Sequence, residues 1–383
     1  MALMDISRVD DLPAIEKRMR ILARDIDMAA HPETGRLGTF EARLLSDWSD
    51  HLFKEQWAGM AIAEGLACAN RSTVKAKGLA TWPTLADEAV QLGIPSLLSL
   101  QRGADVTLAN GSAPLDPAEA RRYIIDSGGL LGKGSGLWRC LVELDPHAGV
   151  APVLNSELPR RDALIALVGS ILEQLEVGAY GRRDPGQNFG PKSTVLEFLS
   201  ELHTNGWEHA RDGQSVRTVR LMKHLYLDRD ALAGKAGGFD ELQAYIQTQS
   251  AGSINLVEVS VSDFGPGILD GFLQSFTGRA FQNMDRTTVL DRLLHDKLSA
   301  KAGDPNAGLG IRYALDAARA IWGFVSLRTG EFWYTLDGSA RDRAVRMVRR
   351  PGTFPNVQGT HWQLLYPDMV SGGRARSGAR AQV

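Results

Sequence analysis

Leu199-Ser-Glu-Leu-His-Thr-Asn-Gly-Trp-Glu-His-Ala210 is the stretch on which the reading of this chain turns. Just before it, Ser193 or Thr194 offers a helix N-cap, and Val195, Phe198, Leu199 and Leu202 then recur on one side of a helix. Glu201, Asn205 and Glu208 recur at i, i+4 and i+7 on another side. One face packs and the other is free for chemistry. A carboxylate and a carboxamide one turn apart can aim at a single point. Asn205 can offer its side-chain oxygen to Mg²⁺, a hard ion that prefers oxygen ligands. Glu201 stands where it can orient or deprotonate an attacking water or hydroxyl. Taken alone, the pair suits a solvated helix surface far better.

Downstream, strand patterns run from Ser215 to Asp228 and from Ile254 to Ser262, with a Gly-rich insertion (Ala233 to Gly238) between them. The second strand ends in Asp263-Phe-Gly-Pro-Gly267. A carboxylate there can accept a hydrogen bond from an adenine amino group, and Gly265 and Gly267 let the backbone approach a base or ribose closely. A connection of about forty residues follows, a length typical of lids or partly disordered segments. Ala307-Gly-Leu-Gly310 then opens a helix over 311–321, where free amides favour phosphate. Strand-like pieces follow at Phe324 to Arg328, Phe332 to Leu336 and Ala344 to Arg349, and Gly359-Thr360 begins a last one. Each motif alone also fits a plain role as a turn, a helix start or a β-branched strand residue. Their order is what carries information.

That order resembles one family. Residues 199–210 resemble the N box of the GHKL ATPases, Val259-Ser-Val-Ser-Asp-Phe-Gly-Pro-Gly-Ile268 the G1 box, and Asn306-Ala-Gly-Leu-Gly-Ile311 the G2 box. The Glu-x-x-x-Asn-x-x-Glu-His-Ala form is most similar to the anti-sigma-factor serine kinases and related histidine-kinase-type ATPase domains. The resemblance covers roughly the last 190 residues. It implies an α/β fold, the two-layer α+β sandwich called the Bergerat fold, with a mixed, mainly antiparallel sheet covered by helices on one face. It further implies ATP and Mg²⁺ as ligands, Asp263 on the adenine, Asn205 on the metal and Glu201 as base. Phosphates would lie along Gly308, Leu309 and Gly310, with Gly265, Gly267, Thr360, Glu208 and His209 also at the nucleotide. Lys301 falls where many relatives carry a lid lysine or serine near the γ-phosphate. Two features depart from the pattern: Gly206 follows Asn205 where relatives usually carry Ala, and the insertion at 229–253 is long.

The rest of the 383 residues is less explicit. Residues 11–70 read as helical, through Leu12, Ile15, Met19 and Leu22 and then Phe40, Leu44, Trp48 and Leu52. From Trp82 to Val150, short apolar pieces alternate with Gly, Pro, Asn and Asp, a mixed α/β texture of unassigned fold. Gly128-Gly-Leu-Leu-Gly-Lys-Gly-Ser135 lacks the Ser or Thr after its lysine and the first glycine of a phosphate loop, and reads as a turn. Asp162 opens a helix through Leu164, Val168, Ile171 and Leu175. The expected division is 1–160 as a partner-binding or regulatory region, 161–370 as the ATP-binding domain, and 371–383 as a disordered tail.

Composition sets outer bounds. The 43 basic and 45 acidic residues nearly cancel, so no positive excess asks for nucleic acid. Cys68 and Cys140 stand in no metal-ligand spacing. The longest apolar run, Ala163 to Leu172, is too short to span a bilayer, and the first twenty residues lack a signal peptide's apolar stretch, so a cytoplasmic location is expected. None of His31, His51 or His147 has the His-Glu-x-x-x-Pro context of a phospho-accepting histidine. Three uses of the ATP remain open at this level: a nucleotide-gated ATPase or switch acting on a protein partner through residues 1–160, an anti-sigma-like protein serine/threonine kinase, and a binding module without turnover. A homodimer is possible by analogy only.

Overall fold

The computed structural model describes residues 138–144, 160–175, 191–209, 216–235, 239–249, 252–296, 298–299, 308–340, 345–352, 354 and 356–368, with short pieces at 3–5, 41–43, 74–76, 106–108, 126 and 130–131. Among the short pieces, Leu3–Asp5 pairs in parallel with Glu41–Arg43, and Val74–Ala76 with Val106–Leu108. Glu41–Arg43 is thus a strand inside a stretch whose periodicity predicts helix; three residues are too few for the 3.6-residue period to prevail over pairing. The rest of 11–70, Lys301 and the tail from 369 lie outside the described residues.

The main body of the described residues is built on one eight-stranded sheet. Its strands are β1 (Leu130–Leu131), β2 (Trp138–Leu144), β3 (Val216–Asp228), β4 (Ser253–Asp263), β5 (Phe324–Gly330), β6 (Phe332–Asp337), β7 (Val348–Arg349) and β8 (Val357–Pro367). Their spatial order is β7-β6-β5-β8-β4-β3-β2-β1. Every pairing in it is antiparallel, where the resemblance implies a mixed sheet. The last strand in sequence, β8, lies between β4 and β5, and this insertion keeps each neighbour antiparallel.

Seven helices accompany the sheet among the described residues: α1 (Arg160–Gln174), α2 (Pro191–His209), α3 (Arg229–Lys235), α4 (Asp240–Gln247), α5 (Ile268–Gln274), α6 (Arg286–His295) and α7 (Gly310–Ala320). Helix α2 starts at Pro191, ahead of the predicted cap, because proline fixes φ for a first helical turn and its missing N–H costs nothing there. The connection after Gly267, of a length typical of lids or partly disordered segments, holds α5 and α6, whose Leu269, Phe272, Leu290 and Leu294 are buried in the core. Asp285 caps α6 by accepting from the Thr288 N–H at 2.8 Å.

The pleat sorts the side chains. On the face toward α1, α2 and α5–α7, one row runs Leu141, Val219, Val261, Trp362, Leu327 across five strands, all buried. Val195, Phe198, Leu199 and Leu202 of α2 are at most 2% exposed against it, as the helix pattern requires. At about 25 cal/mol per Å² such burial supplies most of the driving force for the fold. Two rungs further toward the end of β4, the same face turns polar: Glu143, Arg217, Asp263, Thr360 and Thr329 stand side by side in register.

The opposite face is covered at one end by the long insertion. It forms α3 and α4, and Phe239 and Tyr245 pack edge-on or tilted against Phe324 and Trp333 at ring distances of 4.6–5.7 Å. The Tyr245 hydroxyl donates to the Leu365 carbonyl at 3.2 Å. Phe239 and α4 are therefore a structural cover, and helices lie on both faces of the sheet.

Gly359 joins β8 to the end of β4. Its φ is +87°, and a Cβ there would fall 1.9 Å from the Asp263 carbonyl oxygen. Replacing Gly359 with Ala strains the backbone and pushes the strands apart, so unfolding in urea should show a loss of about 2–4 kcal/mol. A variant as stable as wild type contradicts this placement of β8.

Candidate functional site

The N-terminal ends of α5 and α7, the middle of α2 and the polar end of the sheet meet at one cleft. Its walls include Asn205, Asp263, Gly267, Gly308, Gly310 and Thr360, six of the residues singled out in the sequence. Ile268, Phe272 and Leu293 form an apolar side, and Val261 and Trp362 part of another. A mostly apolar cleft with a few convergent polar groups is the usual form of a small-molecule site.

The separate motifs touch. A Cβ on Gly310 would stand 2.9 Å from Glu201 Oε2 and 3.4 Å from Asn205 Nδ2, so the first residue of α7 sits on the polar face of α2. A Cβ on Gly206 would stand 3.9 Å from Asp263 Oδ2, which sets α2 one ordinary contact away from the end of β4. Thr360 is the register partner of Asp263. Gly267, with φ +85°, admits the Thr329 hydroxyl, which accepts from the Ile268 N–H at 3.1 Å; a Cβ would collide with that oxygen at 2.8 Å. Gly265 contributes its N–H, donated to Asp263 Oδ1 at 3.1 Å, and thereby orients the carboxylate. Leu309 precedes α7 as its N-terminal boundary residue.

Glu201 is one-fifth exposed and pairs with Arg161 of α1, Oε1 to guanidinium, at 2.8 Å. This contact is between side chains forty residues apart, and no periodicity announces it. Three further residues escaped the sequence reading: His203 and Arg217 line the cleft, and Glu143 stands behind them. The available signals were a histidine on the apolar side of α2 and charges within otherwise apolar strands. Glu208 and His209 belong to the last turn of α2, and their side chains lie outside the described part, as does Lys301.

The loop carrying Asp263 is held by β8. Gln358 donates to the carbonyls of Phe264 and Gly265 at 3.2 and 2.7 Å. The Gln358 carbonyl in turn accepts from His361 Nε2 at 2.7 Å, which fixes the neutral tautomer, and the His361 ring packs edge-on to Phe264 at 5.0 Å. Burial pushes the His361 imidazole down to about 3, outweighing the raising effect of that carbonyl.

No protein-family model matches the chain, and no curated protein shows a significant match to it.

Two outcomes follow from this geometry. Gly206→Ala has room for its methyl and should gain about 0.5–1 kcal/mol in urea unfolding from helix propensity, leaving the cleft open. A loss of stability contradicts the spacing of α2 and β4. For His361, the folded value lies below the unfolded one, so unfolding binds a proton between the two. Its contribution is complete above about pH 6.5 and is lost as pH falls toward about 3. Wild type should therefore lose stability across that window more steeply than a His361→Gln variant; parallel pH profiles would remove the cause assigned here.

Proposed function

We propose that residues 161–370 bind a magnesium–adenosine triphosphate complex and that its binding gates an ATPase or switch acting on a protein partner through residues 1–160. The observation that supports this most directly is the convergence of Asn205, Asp263, Gly267, Gly308, Gly310 and Thr360, drawn from five separate elements, on a single cleft. A fortuitous set of turn glycines and surface polar residues has no reason to share one cavity.

In this reading Asp263, oriented by the Gly265 N–H, accepts from the base's amino group, and Thr360 supports it from the neighbouring strand. Gly308, Leu309 and Gly310 bring backbone amides at the start of α7 to the phosphates. Among the described residues no three His, Cys, Asp or Glu side chains are grouped to hold a metal ion, so a cation here needs oxygens from its ligand in addition to Asn205. A triphosphate supplies them, and Mg²⁺ bound with it neutralises phosphate charge. In the same reading Glu201, next to Asn205 and Gly310, has the task of taking a proton from the nucleophile.

The Arg161–Glu201 ion pair favours the switch over the kinase. Arg161 is the second residue of α1, where region 1–160 meets the ATP-binding domain, so displacing that region displaces the partner of the proposed base. The kinase reading keeps the same site and replaces water by a partner's hydroxyl. No helix among the described residues is long and apolar enough to cross a membrane.

Calorimetry and turnover test the proposal together. Asn205→Ala should abolish Mg²⁺-dependent ATP binding, while Glu201→Ala should bind ATP and lose about a hundredfold or more in turnover. Unchanged ATP affinity in Asp263→Ala would sink the nucleotide reading. With γ-labelled ATP and cell lysate, free phosphate identifies an ATPase and a labelled protein a kinase; binding with neither leaves a module without turnover.

A further inference from the structure

The deep wall of the cleft carries a charged group of side chains that the proposed reaction does not use. Glu143, His203 and Arg217 are 1%, 3% and 2% exposed. His203 Nε2 stands 2.7 Å from Glu143 Oε2, and Arg217 Nε 3.8 Å from the same oxygen. Ionic groups this deep are often no more stabilising than apolar residues of similar volume. The neighbouring apolar row through Leu141, Val219 and Val261 shows that apolar packing suits the same sheet face. Stability of the sheet alone therefore does not account for the network.

Its position supplies an account. In the register of the sheet, Arg217 lies between Glu143 and Asp263. Arg217, Asp263 and His203 all line the cleft. Residues directly opposite on adjacent antiparallel strands have Cβ atoms about 4.5–5.5 Å apart. A guanidinium, which only donates, is thus set beside a carboxylate, which only accepts, on one wall of the cavity. The edge of a 6-aminopurine presents the complement, an amino donor flanked by the ring acceptors N1 and N7.

We propose that Arg217 is a specificity-determining residue that donates a hydrogen bond to the ring nitrogen beside the amino group accepted by Asp263. Glu143, braced by His203, is the positioning residue that holds the guanidinium toward the cleft. The inference rests on the nucleotide reading above and adds to it which edge of the base is read. A site that reads a ring nitrogen through a buried charge rejects a base in which that nitrogen is replaced by C–H.

The test uses the full chain, Mg²⁺, and ATP beside 1-deaza-ATP and 7-deaza-ATP in calorimetry. Wild type should bind one of the two analogues about ten- to a hundredfold more weakly than ATP. In a paired Arg217→Met, Glu143→Gln variant, which avoids stranding a buried charge, ATP should still bind and the gap should shrink to about twofold. Arg217→Lys, which keeps the charge but not the fork, should narrow it as well and serves if the paired variant does not fold. Glu143→Gln alone should reduce the same ratio, a quantity that a purely structural role leaves unmoved. Equal binding of ATP and both analogues by wild type overturns the proposal, as does a gap that persists in a folded Arg217 variant. A wild type that binds no ATP is a separate result, which removes the nucleotide reading itself.

Discussion

The antiparallel register between β4 and β8 is the constraint on which the cleft depends. It puts Thr360 opposite Asp263 and lays the backbone of Gly359 against the Asp263 carbonyl. From there the polar row extends outward to Thr329 on one side and to Arg217 and Glu143 on the other. A slip of one residue would turn Trp362 and Leu364 to the opposite face and put His361 and Gln363 into the helix-side core. The apolar rows and the site are therefore fixed by the same pairing.

Two kinds of contact then bring the helices to that row. Apolar burial seats α2 through Val195, Phe198 and Leu199, and small residues set how close the elements come. Gly206 faces Asp263 and Gly310 faces Glu201 and Asn205, so the three motifs approach through positions that lack side chains. Arg161 and Gln358 add polar ties, the first to Glu201 and the second to the loop after Asp263. Their weights differ. The Arg161 pair is half exposed on one side and contributes little stability, whereas the Gln358 contacts are partly buried and hold backbone.

Much of the site was legible because helical and strand periods are local. The face of α2 bearing Glu201 and Asn205, the strand ending at Asp263 and the glycines before α7 could all be read from spacing, and all meet at the cleft. What spacing does not contain is the pairing of strands distant in sequence. Arg217 gains its place only because β3 neighbours β4, and Glu143 only because β2 neighbours β3. The helices α5 and α6 were hidden for another reason: between Gly267 and Gly308 the apolar residues fall in short runs separated by turn residues, which mimics a loop. The insertion at 229–253 was conspicuous by length, yet its role follows from contacts of Phe239 and Tyr245 with Phe324, about eighty residues later.

The place of β8 has a consequence for the order of assembly. Hydrogen bonds to β4 and β5 come from a strand that the ribosome releases after both, and Thr360 meets Asp263 about a hundred residues after Asp263 has emerged. Until then β4 and β5 lack the strand that pairs with both, and the wall of the cleft that Thr360 and Trp362 provide does not exist. A chain halted before residue 357 lacks that shared partner, so the closed cleft requires the C-terminal strand.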